Sequence, residues 1–367
     1  MSDISAFTGV LGKKLAAHLL RRATFSPTKP LIDEFALKTP EEALSQLLKF
    51  YPITNKPIEP SLNDTWVDTI PAPSGFKEAD LRDYIVAWMI YNMHFDRSLR
   101  SKMIIFLHQN WMVNKEAIAS HNLYDYLKLL EFYSFGSYKT LAKKMCRDNR
   151  MLTYLNGSQN TKANPNENYA REFLELFTIG KGPQTAEGNY TNYTEDDIKA
   201  AAKVLSGYQY ELDNNKTDPD TGIRYCSVNP TKHSSANKTF SSCFGPGNIT
   251  IKGTNTAEGM ETELGQFVNM VFDQQETARN ICRKLYRYFV HRTINEEIER
   301  DIISPMANAL KNDNYNLNTA IRLLLQSRHF YGLDSSPSNG NVIGAMVKSP
   351  LELILQALNF FNILPFD

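Results

Sequence analysis

Apolar side chains recur along most of this chain with the 3.6-residue spacing of an α-helix. Leu11, Leu15 and Leu19 fall at i, i+4 and i+8 and predict a first helix. Thr39-Pro40-Glu41-Glu42 reads as a helix start, with Thr39 as N-cap, Pro40 at the first helical position and Glu42 where a capping box needs it. Two long apolar-rich helices are expected near 78–94 and 97–113. Further helices are expected near 122–134, 137–147, 166–179, 195–207, 259–272, 276–290, 295–311, 317–327 and 342–362.

Two stretches break this pattern. Residues 51–76 carry Pro52, Pro57, Pro60, Pro71 and Pro73, which forbid a long helix and predict an extended connection over the surface. Residues 208–258 are rich in Asn, Thr, Ser, Gly and Asp and hold a strong turn signal at Asp218-Pro219-Asp220-Thr221-Gly222. Short runs such as Thr250 to Lys252 are candidate small strands. No internal repeat and no heptad seam interrupts the series. The expected fold is all-α: one multi-helix globular domain over 1–367, with a long irregular polar loop at 208–258 that carries small β-hairpins at most.

Composition narrows the function classes. The chain has 367 residues, 40 basic and 40 acidic side chains, and 42% hydrophobic residues. A chain of this length buries roughly 75% of its unfolded surface, so global disorder is excluded. The zero net charge gives no bulk attraction to nucleic acid. The longest apolar runs are a handful of residues, such as Met103 to Leu107, against the about 20 that a membrane helix needs. No signal-peptide core is visible, so the chain reads as cytoplasmic, or as exported with its leader absent.

Of the four cysteines, Cys146 and Cys282 sit in amphipathic helical patterns and read as buried thiols. Cys226 and Cys243 share the polar stretch and are candidates for a disulfide in an oxidising compartment. His233 lies between them, but without CxxC spacing the three make a poor zinc site. No P-loop, GxGxxG, GxSxG or HExxH occurs, and no cofactor is implied. Lys13, Lys14, Arg21 and Arg22 near the N-terminus have two readings, a phosphate site or a solvated helix end.

The most informative segment is Asn164-Pro165-Asn166-Glu167-Asn168-Tyr169-Ala170-Arg171-Glu172-Phe173-Leu174-Glu175-Leu176-Phe177-Thr178-Ile179-Gly180. Asn164 is the expected N-cap, Pro165 the first helical residue, and Gly180 the stop. Helical spacing places Tyr169, Phe173, Leu176 and Phe177 on one face. Glu167, Arg171 and Glu175 form a stripe on the other, with Glu172 and Asn168 beside it. One reading is a solvated face with i,i+4 ion pairs. The other is a cleft in which crowded carboxylates take acid and base roles around one arginine.

Two more places carry polar side chains that ask for an explanation. Thr194-Glu195-Asp196-Asp197 opens a helix, and its acids either complement the helix dipole or ligate a divalent ion. His108-Gln109-Asn110 interrupts an apolar helix, so His108 is either a hydrogen-bonded core residue or a group facing a cleft.

Several blocks in order resemble a known family. They are Leu15-Ala16-Ala17-His18-Leu19-Leu20-Arg21-Arg22-Ala23-Thr24-Phe25, Phe106-Leu107-His108-Gln109-Asn110-Trp111 and Asn164 to Glu172. Tyr193 to Ile198, Leu205-Ser206-Gly207-Tyr208, His233 with Lys238-Thr239-Phe240, Lys284 to Val290 and Lys348-Ser349-Pro350-Leu351-Glu352 follow. The chain is similar over nearly its whole length to the uncharacterised bacterial family catalogued as domain of unknown function 1800. The resemblance implies a largely helical fold and no established activity.

It also implies a sulfatase- or phosphatase-like partner, because genes of this family often lie beside those of such a family. Members usually continue past the Lys-Ser-Pro helix into a segment containing Pro, Gly and Trp. This chain ends at Asp367, so that segment is expected to be absent, and Phe25-Ser26-Pro27 stands where Phe-Gly-Pro is usual.

Three functions follow as expectations. The first is a recognition or accessory module of the bacterial envelope or secretion pathway, using the Glu167/Arg171/Glu172 face and the 208–258 loop. The second is an enzyme on a polar substrate such as a glycan, with Glu167 or Glu172 as acid/base, Arg171 as anion clamp and His108 as proton carrier. In both, Asn166, Asn168, Glu175, Gln109, Asn110 and His233 are the candidate binding residues. The third is divalent-metal binding by Glu172, Glu175 and the acids at 195–197.

Overall fold

A computed structural model describes residues 2–69, 75–114, 116, 119–211, 216–334, 343 and 346–364. About 52% of the chain is helical. Helices α1 (Gly12–Ala23), α2 (Lys29–Phe35) and α3 (Pro40–Leu47) come first. They are followed by α4 (Glu78–Phe95), α5 (Arg100–Asn110), α6 (Ser120–Phe132), α7 (Tyr138–Met145), α8 (Asn149–Tyr154) and α9 (Asn168–Glu172). After α10 (Glu195–Val204) and the polar stretch come α11 (Ala257–Phe272), α12 (Gln275–Phe289), α13 (Glu296–Ile298), α14 (Ser304–Asn312), α15 (Leu317–Gln326) and α16 (Pro350–Phe361).

The expectation of an all-α fold is corrected in part: the chain is largely helical and also carries three two-stranded antiparallel ladders. Strands β1 (Gln184–Ala186) and β2 (Asn189–Tyr190) flank a Glu187-Gly188 turn, with Gly188 at φ +71°. Strands that short leave no alternating pattern to read. β3 (Tyr208–Gln209) pairs with β4 (Ser227–Val228), and β5 (Lys238–Phe240) with β6 (Ile249–Ile251). These last two ladders lie in the polar stretch.

Local signals explain most helix ends. Thr39 and Glu42 form the expected capping box at α3, and Thr194 with Asp197 forms another at α10. Among the described residues of 51–76 there is no helix. That segment instead inserts Trp66 into the core, where its Nε1 donates to Ser120 Oγ at 2.8 Å. Pro71 and Pro73 lie outside the described residues.

α12 packs on α14, α14 on α15, α15 back on α3, and α4 and α5 on α6. An aromatic chain ties α5 to the middle of the molecule. The Trp111 ring lies 4.5 Å from Phe177 and 5.9 Å from Tyr138, and Phe173 reaches Phe267 of α11 at 5.2 Å. Phe267 in turn stacks on Phe240 of β5 at 5.7 Å. Each fully buried ring of this kind stabilises the fold by about 1.5–3 kcal/mol.

Two details around α9 differ from expectation. Asn164 does not cap the helix, which begins at Asn168. The buried Asn160 side chain accepts from Asn166 N at 3.0 Å and donates to Ala202 O at 2.7 Å, holding Asn166 outside the helix. Leu176 does not share the buried face of Tyr169, Phe173 and Phe177 but is 54% exposed. Residues 173–177 wind as a π-turn, whose extra residue rotates Leu176 away from the core. Gly180, at φ +77°, stops the segment as expected, with its N–H on Leu174 O at 2.8 Å.

Candidate functional site

Three helices turn one face each toward a common space. On α1 the residues are Lys14, Ala17, His18 and Arg21; on α5, Lys102, Ile105, Phe106 and Gln109; on α12, Lys284, Arg287 and Tyr288. All follow the i, i+3, i+4 spacing of a single helical face. With Arg22, Phe25, Asn110 and the start of α16, they enclose a cavity of about 920 Å³. Among the described residues, seven cations line it (Lys14, Arg21, Arg22, Lys102, Lys284, Arg287 and Lys348) against one carboxylate, Glu352.

Glu352 is already occupied. It pairs with Lys102, and it closes the capping box of α16 with Ser349 N at 2.9 Å. Lys102 also lies 4.3 Å from the centre of the Phe25 ring. Tyr288 Oη donates to Lys102 O at 2.9 Å, and its ring meets Phe106 at 5.4 Å. Lys102 is thereby a structural cation, neutralised in place.

Among the described residues, Lys14, Arg21, Arg287 and Lys348 pair with no carboxylate, whereas Arg22 interacts with Glu352. Lys284 Nζ donates to Leu176 O, and burial together with Arg287 pulls its pKa down to about 8. Burial lowers Arg22 to about 10. His18 is lowered to about 4 by burial, then by Arg22 and Arg21, and its Nε2 sits 3.0 Å from Phe330 O. Like charges crowded in a concave site depress one another's basicity, and an anion there relieves the repulsion.

The Glu167/Arg171/Glu172 face is organised differently. Arg171 forks onto Glu195 of α10, with Nη1 to Oε2 at 3.0 Å and Nη2 to Oε1, and lies 3.6 Å from Glu167. Glu175 accepts from Tyr193 Oη at 2.8 Å and pairs with Lys181 at 2.7 Å. The Glu172 carboxyl is raised by burial and by Glu175. Asn166 Oδ1 accepts from Asn168 N at 3.0 Å, and Asn168 Nδ2 donates to Leu155 O at 3.2 Å, so both amides brace backbone. Glu167, Arg171 and Glu172 do not line the large cavity.

Of the polar triplet on α5, Gln109 and Asn110 line the cavity and His108 does not. His108 Nδ1 lies 2.9 Å from Tyr126 Oη, which donates to Trp111 O at 2.8 Å; burial lowers its pKa. His108 is thus part of a hydrogen-bonded network at the core's edge.

His233 is buried in a third arrangement. Its Nδ1 is 2.8 Å from Ser206 O, and its Nε2 is 3.2 Å from Glu263 Oε2 and 3.3 Å from Lys238 Nζ. Lys238 also pairs with Glu263 and donates to Ser234 O at 2.6 Å. Gly207 (φ +82°) lets this loop close, since a Cβ there would meet Asn229 O at 2.7 Å. The cluster binds the 208–258 loop to α11.

Cys226 and Cys243 are free thiols here, and Cys226 is buried. The acids opening α10 are all engaged: Glu195 with Arg171, Asp196 with Lys199, and Asp197 with Thr194 and Ser241. Among the described residues no group of three His, Cys, Asp or Glu side chains is placed to hold a metal ion, and no helix is long and apolar enough to cross a membrane.

Lys102, Lys284, Arg287 and Lys348 are not among the candidate site residues that the sequence suggests. Lys284, Arg287 and Lys348 lie in family-like blocks, and Lys102 immediately precedes the apolar run Met103 to Leu107.

The protein is of the largely helical class, and four of the family-like blocks, those at 15–25, 106–111, 284–290 and 348–352, contribute to the lining of the basic cavity. The chain belongs to the family described as Protein of unknown function (DUF1800), whose model matches residues 18–365. Neither a curated protein nor a solved structure matches it.

Proposed function

We propose that this protein is a recognition module whose ligand is an anion, a phosphate, sulfate or carboxylate group, held in the basic cavity between α1, α5, α12 and the start of α16. The observation that carries this reading is the charge imbalance: seven cations around about 920 Å³, with the single carboxylate already paired. Sites of this size with a few convergent polar groups are the usual form of a ligand pocket. A sulfatase- or phosphatase-like partner, which the family resemblance implies, would act on esters of two of these anions, sulfate and phosphate. That shared chemistry supports an accessory role beside such an enzyme in the bacterial envelope. The Glu167/Arg171/Glu172 face supports acid/base catalysis less well, because Arg171 already holds two carboxylates.

Calorimetric titration with sodium sulfate at low ionic strength tests this. Saturable binding is expected, weakened about tenfold by Arg21→Gln with Arg287→Gln, two substitutions at exposed positions. Absence of binding, or binding indifferent to both substitutions, overturns the proposal.

A further inference from the structure

The basic cavity has a neighbour. A second depression of about 850 Å³ runs along α16, and Arg21 and Lys348 line both volumes. Its surface is largely apolar, with Leu31, Leu353, Ala357, Phe360 and Phe361. α16 carries one charged side chain in twelve residues, yet among its described side chains only Leu355 and Gln356 are buried. Phe360 is 81% exposed and Phe361 68%. Lys29, Arg97 and Glu34 also line this groove, and Lys29 pairs with Asp33 at 3.1 Å.

One polar group there lacks a partner. Gln356 lines the groove, is 9% exposed, and its Nε2 makes no hydrogen bond among the described residues. A buried amide donor left unpaired costs about 1–3 kcal/mol, so a facing acceptor is favoured.

Resting on the anion-binding reading above, we infer that the cavity and the groove are one site for an anionic lipid. The headgroup lies among the cations, the acyl chain runs along α16 beside Phe360 and Phe361, and an ester carbonyl accepts from Gln356. A small hydrophilic anion would leave the groove uncovered, and a neutral apolar molecule would leave Lys14, Arg21, Arg287 and Lys348 without a counter-charge. Only an amphiphile with a negative head satisfies both halves. The groove follows a helix about 18 Å long, enough for a mid-length chain in extended form.

The test is a series of linear alkyl phosphates of rising chain length, each below its micellar concentration, titrated into the full chain beside inorganic sulfate. A fully buried methylene tightens binding about fourfold, so a two- to fourfold gain per added methylene is expected. Phe360→Ser with Phe361→Ser should flatten that gain and leave sulfate affinity unchanged. Both side chains are exposed, so the fold is preserved.

Sulfate binding with no dependence on chain length overturns the lipid inference and leaves the anion reading standing. Failure of sulfate and of every alkyl phosphate overturns both. Sedimentation showing a dimer that the double substitution dissolves also overturns the inference, because a second copy then covers the groove.

Discussion

Charge is concentrated in two regions of this molecule, in opposite ways. In the His233–Lys238–Glu263 cluster, ammonium and carboxylate meet in the dry interior, and backbone carbonyls take remaining protons. In the cavity between α1, α5 and α12, cations face open volume with no carboxylate of their own beyond Glu352. Burying a matched pair holds structure in place, because removing either member strands the other. Gathering unmatched charge at an opening costs stability, and that cost is offset when a counter-charge arrives from outside. The first arrangement fastens a loop, and the second is suited to a ligand.

The most damaging way to break this comparison is inside the matched cluster. Glu263→Gln leaves Lys238 buried without a counter-charge and should cost about 3–5 kcal/mol, read by urea denaturation. A loss below 1 kcal/mol would mean the pair fastens nothing. The cavity should behave oppositely toward pH. Lys284 has a folded pKa of about 8, below its ordinary value. The ligand-free native state therefore gains stability as pH rises through about 8 and this lysine sheds its charge.

Bound sulfate needs that charge, so its affinity should fall about fivefold between pH 7 and pH 9. His18, held near 4, stays neutral throughout this window. Calorimetry at the two pH values measures the fall, and Lys284→Met should abolish it. A flat profile in the parent would remove Lys284 from the site. The smallest effect belongs to the surface network at α9. Arg171 is about one-third exposed, so Arg171→Gln should cost only about 0.3–1 kcal/mol by thermal unfolding, and sulfate affinity should not change. A larger loss would place Arg171 with the buried cluster rather than with the solvated pairs.

Much of the helical framework was legible because its causes are local. Thr39 with Glu42 and Thr194 with Asp197 cap their helices by contacts three residues apart, and Leu11 and Leu19 are buried as their spacing requires. Where the outcome depended on a distant partner, local reading failed. Asn164 caps nothing, because Asn160, anchored on Ala202 O, holds Asn166 outside the helix, and Leu176 is rotated out by a π-turn. The candidate site was legible only in pieces. Gln109 and Asn110 line a cavity, as do Lys14, Arg21 and Arg22 while Lys13 pairs with Asp33, and His233 contacts Glu263 and Lys238 rather than the cysteines.

By itself the sequence determined the helical content, the place of the two irregular stretches, and the family, because each rests on spacing and order along the chain. It determined the identity of every cation but not their company. Only the tertiary structure decided that Lys14, Lys284 and Lys348, spread over 335 positions, share one cavity while Lys102, Arg171 and Lys238 find carboxylates. The physical reason is that a charge is satisfied through space. Whether a lysine is a structural pair or a waiting ligand group depends on what the fold brings within a few ångströms of it.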